Sequence, residues 1–198
     1  GYRFNDASQA AYEFFWNDFC DWYIEATKLS LYSENAAEQN RAATLLLIVL
    51  EESLRLLHPF LSFITEEIYQ KLPTLRENQS SALISSDYPE ASDEREVPGI
   101  ASAMESLQEL VGLVRTLRGE FTIPPSHKVD FHVRFEEGFE HGRFLQNHDQ
   151  LLAGLSTAGT ISFGNAAPTR EGAIPVVGTG YEVHVFVRDI IDTDAEIA

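Results

Sequence analysis

The sequence predicts an α+β protein: a mainly α-helical bundle of about four helices, followed by a small α/β subdomain. Three observations predict it. Up to residue 120, apolar residues recur at intervals of three and four, the spacing of one helix face. From residue 129 the period becomes two, beginning with VDFHVRF, the pattern of a strand with one wet face. Between them, TIPP (122–125) carries two prolines that end a helix. The expected organisation is a helical domain over 1–125, an α/β unit over 126–192, and the start of a truncated helix at 193–198.

The first helix is organised around YEFFWNDFCDWYIEATK (12–28). Asn5 or Asp6 can cap it, and it runs to about Leu31. Its aromatic face is expected to hold the later helices, which makes most of its rings core residues. Ser33-Glu34-Asn35 breaks the chain before a second helix over 36–57. The centre of that helix, AATLLLIVL, is apolar nearly all round and predicts a position in the middle of the bundle. Pro59 disfavours helical geometry at His58 and suits the first turn of a third helix over 59–72. A polar crossing follows, with a short extended piece at 82–84, and then a fourth helix over 99–120. Beyond TIPP come strands at 129–135, 160–163, 174–177 and 181–187, with one short helix over 141–155. Gly178-Thr179-Gly180 is read as a tight turn between the last two strands.

The net charge is −17, from 14 basic and 31 acidic residues. By itself this argues against nucleic-acid binding, because phosphate is held mainly by Lys and Arg. The excess is spread: residues 1–80 hold 6 basic and 12 acidic side chains, and 81–198 hold 8 and 19. An RNA site must therefore be a local patch. Cys20 is the only cysteine, which fits a reducing compartment and a small core residue on an aromatic helix. No apolar run is long enough to span a membrane. His127, His132, His141, His148 and His184 lack zinc-ligand spacing, so no metal site is expected. Glu66 and Glu67 are adjacent on a helix and point about 100° apart, so they do not converge as a carboxylate pair. No catalytic residue is assigned.

Several separated pieces resemble one family in collinear order. FFWNDFCDWYIEATK (14–28) is similar to the first bundle helix of valyl-tRNA synthetases. LLHPFLSFITEEIYQKL (56–72) resembles the helix–proline–helix element shared by valyl, isoleucyl and leucyl enzymes. SALISSDYPE (81–90) and LVRTLRGEFTIPP (113–125) resemble the segment after it and the fourth helix. DIIDTDAEIA (189–198) resembles the start of the C-terminal coiled coil. FCDWYIE is the most specific piece and favours the valyl enzymes. Ser62 stands where a second proline is common, and Tyr69 where tryptophan is common. No HIGH-like or KMSKS-like sequence is present.

The resemblance implies an anticodon-binding region from a ligase whose catalytic domain is absent from this chain. The parent would be an ATP-dependent ligase for valine, with ATP and Mg in its catalytic domain and no cofactor in this piece. The implied partner is valine-accepting tRNA, with no DNA and no membrane, and the expected state is a cytoplasmic monomer. Two alternatives stay open. One is the same domain of an isoleucyl or leucyl enzyme; the other is an acidic helical protein-interaction module without RNA binding.

The candidate tRNA-binding residues are Arg3, Asn17, Asp21, Trp22, Glu25, Lys28, Arg115 and Arg118. Asn and Asp can bond base edges in an unstacked loop, and Trp16 or Trp22 can stack a base if exposed. The competing expectation makes both tryptophans core, and Asp21 and Glu25 capping or buried partners. Lys28 and Arg3 are candidate backbone contacts. Arg115 and Arg118, three apart on one helix face, suit phosphate or a structural carboxylate such as Glu120, Asp21 or Glu25.

Overall fold

The computed structural model describes residues 3–74, 79–92, 96–169 and 172–187. The helix and coiled-coil start expected at 189–198 lies outside them. The chain forms two compact units, Gly1–Arg95 and Glu96–Ala198. The sequence division falls later, at Pro125; the structure counts the fourth helix with the sheet.

In the first unit, helix α1 (Phe4–Glu13) continues without interruption through a π-helical stretch, Phe14–Ile24, into α2 (Glu25–Leu31). Such an i→i+5 stretch is rare, and here it coincides with the aromatic run. Asn35 ends the break by accepting the Ala37 N–H at 3.0 Å, capping α3 (Ala36–Leu57). Glu38 accepts hydroxyls from Ser30 and Ser33, which ties the end of α2 to the start of α3.

The centre of α3 is not enclosed as expected. Leu45 is exposed and Leu46 to Leu50 are half-buried. Within the unit, α3 packs α1 and α2 along its length and α4 (Ser62–Tyr69) near its end, which leaves part of its circumference uncovered. His58 keeps helical geometry despite Pro59, with its N–H on the Leu54 carbonyl. The break falls instead at 59–61, so α4 is shorter than its apolar pattern suggested. His58 Nδ1 and Thr65 Oγ1 share a hydrogen bond at 2.8 Å, a structural role.

Leu54, Tyr69 and Leu83 form the small core beside α4, flanked by Leu50, Ile68 and Leu72. The segment expected to be extended at 82–84 instead makes a single 3-10 turn, Leu83–Ser85. Glu66 causes this: its carboxylate accepts the Leu83 N–H at 2.9 Å and caps the turn. Arg55 joins Glu51 by an ion pair at 3.0 Å and donates to the Asp87 carbonyl, which fixes the chain after that turn.

The second unit packs α5 (Ile100–Glu120) against a four-stranded sheet. Its strands are β1 (Val129–Phe135), β2 (Ala158–Gly164), β3 (Ala173–Gly178) and β4 (Tyr181–Phe186), in the order β2-β1-β4-β3. β1 and β2 are parallel; the other pairs are antiparallel. The parallel pair needs a crossover, supplied by α6 (Gly142–Asn147) and α7 (Asp149–Ser156). One helix was expected over 141–155; His148 leaves helical geometry and divides it.

Strict alternation in β1 buries Val129, Phe131, Val133 and Phe135 on one face. Leu107, Leu110, Val111 and Val114 of α5 are fully buried in the same unit. The β3–β4 turn needs its glycines: Gly180 has φ +85°, and the Tyr181 ring occupies the space of a Cβ at Gly178. Among the described residues, no helix is long and apolar enough to cross a membrane.

Candidate nucleic-acid interface

The long helix 4–31 divides its aromatic residues between two sides. Phe15, Phe19 and Tyr23 stack in a row at centroid distances of 5.3 and 5.9 Å, and Phe19 is buried. Four-residue steps keep that row on one side, as they do in any helical turn near four residues. Tyr12 and Trp16 form a second row that faces water. Their rings are 6.3 Å apart, 4° from parallel, and 58% and 54% exposed. The expectation that both tryptophans are core fails at Trp16; Trp22 is half-buried.

The predicted polar edge is present. Asn17 and Asp21 are exposed one turn apart, and Glu25 and Lys28 continue the strip as an ion pair at 2.5 Å. Arg3 pairs with Asp6 at the other end of the helix. Twenty-five residues separate Arg3 from Lys28, roughly 35 Å at about 1.5 Å per residue, so they form no shared cationic groove. Cys20 is half-buried; burial, then the Asp21 charge, push its thiol pKa up, which keeps it a neutral packing group.

Arg115 and Arg118 lie in the other unit and are engaged there. Arg115 Nε donates to the Leu155 carbonyl at 2.9 Å. Arg118 is buried and donates to the carbonyls of His127 at 2.8 Å and Pro124 at 3.0 Å, with Thr157 at 3.4 Å. Burial lowers its guanidinium pKa from the usual value. It ties the end of α5 to the proline exit and to the start of β2, and among the described residues it bonds backbone carbonyls rather than the carboxylates expected.

A concavity of about 760 Å³ in this unit is acidic, with Glu105, Glu109, Glu136, Glu137 and Glu140 in its lining. Glu109 is fixed by Tyr181, whose hydroxyl donates to it at 2.8 Å, and by the Thr179 hydroxyl at 2.8 Å. Burial opposes its ionisation, but these bonds outweigh that and lower its pKa from the usual carboxylate value. Burial foremost, then Glu109, push the Tyr181 phenol well above its usual value. Such a concavity repels phosphate, so the polar edge of the first helix remains the better RNA candidate.

Sequence reasoning offered Trp16 as a stacking ring if exposed but did not find its pairing with Tyr12. Its four-residue spacing was visible, but nothing in a helix apolar over most of its circumference tells which row faces water.

A family model described as the anticodon-binding domain of tRNA ligase matches residues 1–133. The chain is 44% identical to a valine–tRNA ligase of Treponema denticola, over 98% of this chain and 22% of that protein. It is 34% identical to the valine–tRNA ligase of Geobacter sulfurreducens, over 98% and 22%. The same enzyme of Bacillus subtilis is 33% identical, over 100% and 22%. The chain thus spans about a fifth of the length of these curated relatives. With two thirds of its residues inside the matched span, this chain belongs to the family of anticodon-binding domains of tRNA ligases.

Proposed function

We propose that this chain recognises the anticodon stem-loop of valine-accepting tRNA as part of a valine–tRNA ligase. The intact protein would join valine to its tRNA using ATP, with ATP and Mg bound by a catalytic part outside these 198 residues. The observation that carries this reading is the family match over 1–133, together with eight relatives at 31–44% identity, each a valine–tRNA ligase. The mechanism is positioning: holding the loop orients the distant acceptor end, and no covalent step falls to this chain. Asn17, Asp21 and Glu25 would bond base edges, Trp22 would border the loop, Lys28 would touch the loop's backbone, and Arg3, at the far end of the helix, the backbone of the stem. Arg115 and Arg118 would act by shaping the second unit. The protein would work as a cytoplasmic monomer.

The charge of −17 favours a second reading, an acidic module that binds protein and no RNA. Aminoacylation by the intact ligase separates the two. Asn17→Ala with Asp21→Ala should narrow the gap in kcat/KM between valine tRNA and the same tRNA with altered anticodon bases. An unchanged gap would remove the polar edge from anticodon reading, and no gap in the unmodified ligase would favour the second reading.

A further inference from the structure

A row of polar side chains runs along the first helix in steps of four: Gln9, Glu13, Asn17, Asp21 and Glu25. A step of four overshoots an α-helical turn of about 3.6 residues and falls short of the wider turn closed by i→i+5 bonds. The π-helical stretch Phe14–Ile24 therefore opposes the drift of the α-helical ends and keeps Asn17 and Asp21 in line with the rest. The ends of the row are tied within the helix. Gln9 donates to Glu13 at 2.8 Å, and Lys28 pairs with Glu25 at 2.5 Å. Asn17 and Asp21 are exposed, and among the described residues neither side chain has a hydrogen-bonding partner.

Their chemistry is selective among bases. A carboxamide donates and accepts side by side, which matches the amino donor and ring-nitrogen acceptor of adenine. An ionised carboxylate only accepts, which suits the amino group of cytosine and repels the carbonyl that uracil carries in its place. Valine codons begin with G-U, so the middle anticodon base is adenine and the third is cytosine. β-Carbons one helical turn apart are roughly 5–6 Å from each other, a spacing that can meet two successive bases of an unstacked loop. A base turned out of its loop presents this edge away from its own phosphate, so Asp21 meets an amino group rather than the backbone. Lys28 lies seven residues beyond Asp21, roughly 10 Å along the helix, close enough for a phosphate of the same loop.

We propose that Asn17 reads the middle anticodon adenine and Asp21 the third anticodon cytosine, and that Asp21 separates valine tRNA from isoleucine tRNA. Isoleucine codons begin with A-U, so that tRNA keeps the adenine and carries uracil at the third position. This rests on the reading of the chain as part of a valine–tRNA ligase that holds the anticodon loop. The first anticodon base, which varies among valine tRNAs, then falls beside Glu13, whose carboxylate is already engaged by Gln9.

The test is kcat/KM for aminoacylation by the intact ligase. Its substrates are valine tRNA and two single-base variants, one with uracil as the third anticodon base and one with guanine as the middle base. The unmodified ligase should prefer the valine anticodon by about tenfold or more over each. Asp21→Asn gives a side chain that can donate to the uracil carbonyl. It should bring the cytosine-to-uracil ratio close to one and leave the adenine-to-guanine ratio as it was. Asn17→Asp removes the donor to adenine and offers acceptors to the N–H groups of guanine, so it should collapse the adenine-to-guanine ratio alone. A variant that lowers activity on all three tRNAs equally, or that moves the other base's ratio, overturns the assignment. A distinction among the tRNAs that both variants leave intact overturns the roles of Asn17 and Asp21 only. No distinction in the unmodified ligase overturns the anticodon reading itself.

Discussion

Trp16 lies parallel to Tyr12 at 6.3 Å, in water, while Phe19 on the same helix is buried to 3% exposure. The two rows should separate in a stability measurement. Phe19→Ala removes a core ring and should cost about 3–5 kcal/mol in denaturant unfolding of the chain. Trp16→Ala should cost less than about 1 kcal/mol. A reversed order would mean that the exposed row belongs to the core.

Arg118 predicts a different contrast. Its three carbonyl partners lose their donor in Arg118→Met, which should destabilise the second unit by about 2–4 kcal/mol. Arg3→Ala breaks only an exposed pair and should change stability by less than about 0.5 kcal/mol. Urea titration of both variants checks this.

The bond from Tyr181 to Glu109 makes a prediction about pH. Tyr181→Phe should cost about 1–2 kcal/mol at pH 7. The folded pKa of Glu109 is depressed, so its contribution is complete above the unfolded value of about 4.3 and is lost as pH falls through the folded value. The stability difference between wild type and Tyr181→Phe should therefore shrink as pH drops below about 4. A difference constant from pH 7 to 3 would contradict the ionised bond.

The pairing of Arg3 with Asp6 and of Lys28 with Glu25 predicts a shallow salt dependence. If Arg3 and Lys28 are the phosphate contacts, log K against log salt should have a slope near −1.4, at about −0.7 per contact. A slope steeper than about −4 would require cations not assigned here.

Much of this fold was legible in the sequence because its periods are clean. VDFHVRF alternates, and it is β1 with every second side chain buried. The helix over 36–57 stands where the pattern puts it, directly after the polar break at 33–35. The family was legible in FCDWYIE, and the match over 1–133 bears it out. What stayed hidden depends on contacts remote in sequence. Glu66 caps Leu83 across seventeen residues, so the turn there read as extended. Arg118 finds its carbonyls in segments 6 to 39 residues away, and a helix-face pattern cannot distinguish those from phosphate. The all-apolar centre of α3 announced burial without saying how many neighbours its unit supplies.

The central claim is that this chain itself holds the anticodon loop. The most direct measurement is a titration of the 198-residue chain with two RNA hairpins, the anticodon stem-loop of valine tRNA and the same stem with its three anticodon bases replaced. Weak binding is expected overall, with the valine loop preferred by about tenfold or more, the equivalent of one good base contact. Equal affinity for the two hairpins would contradict it.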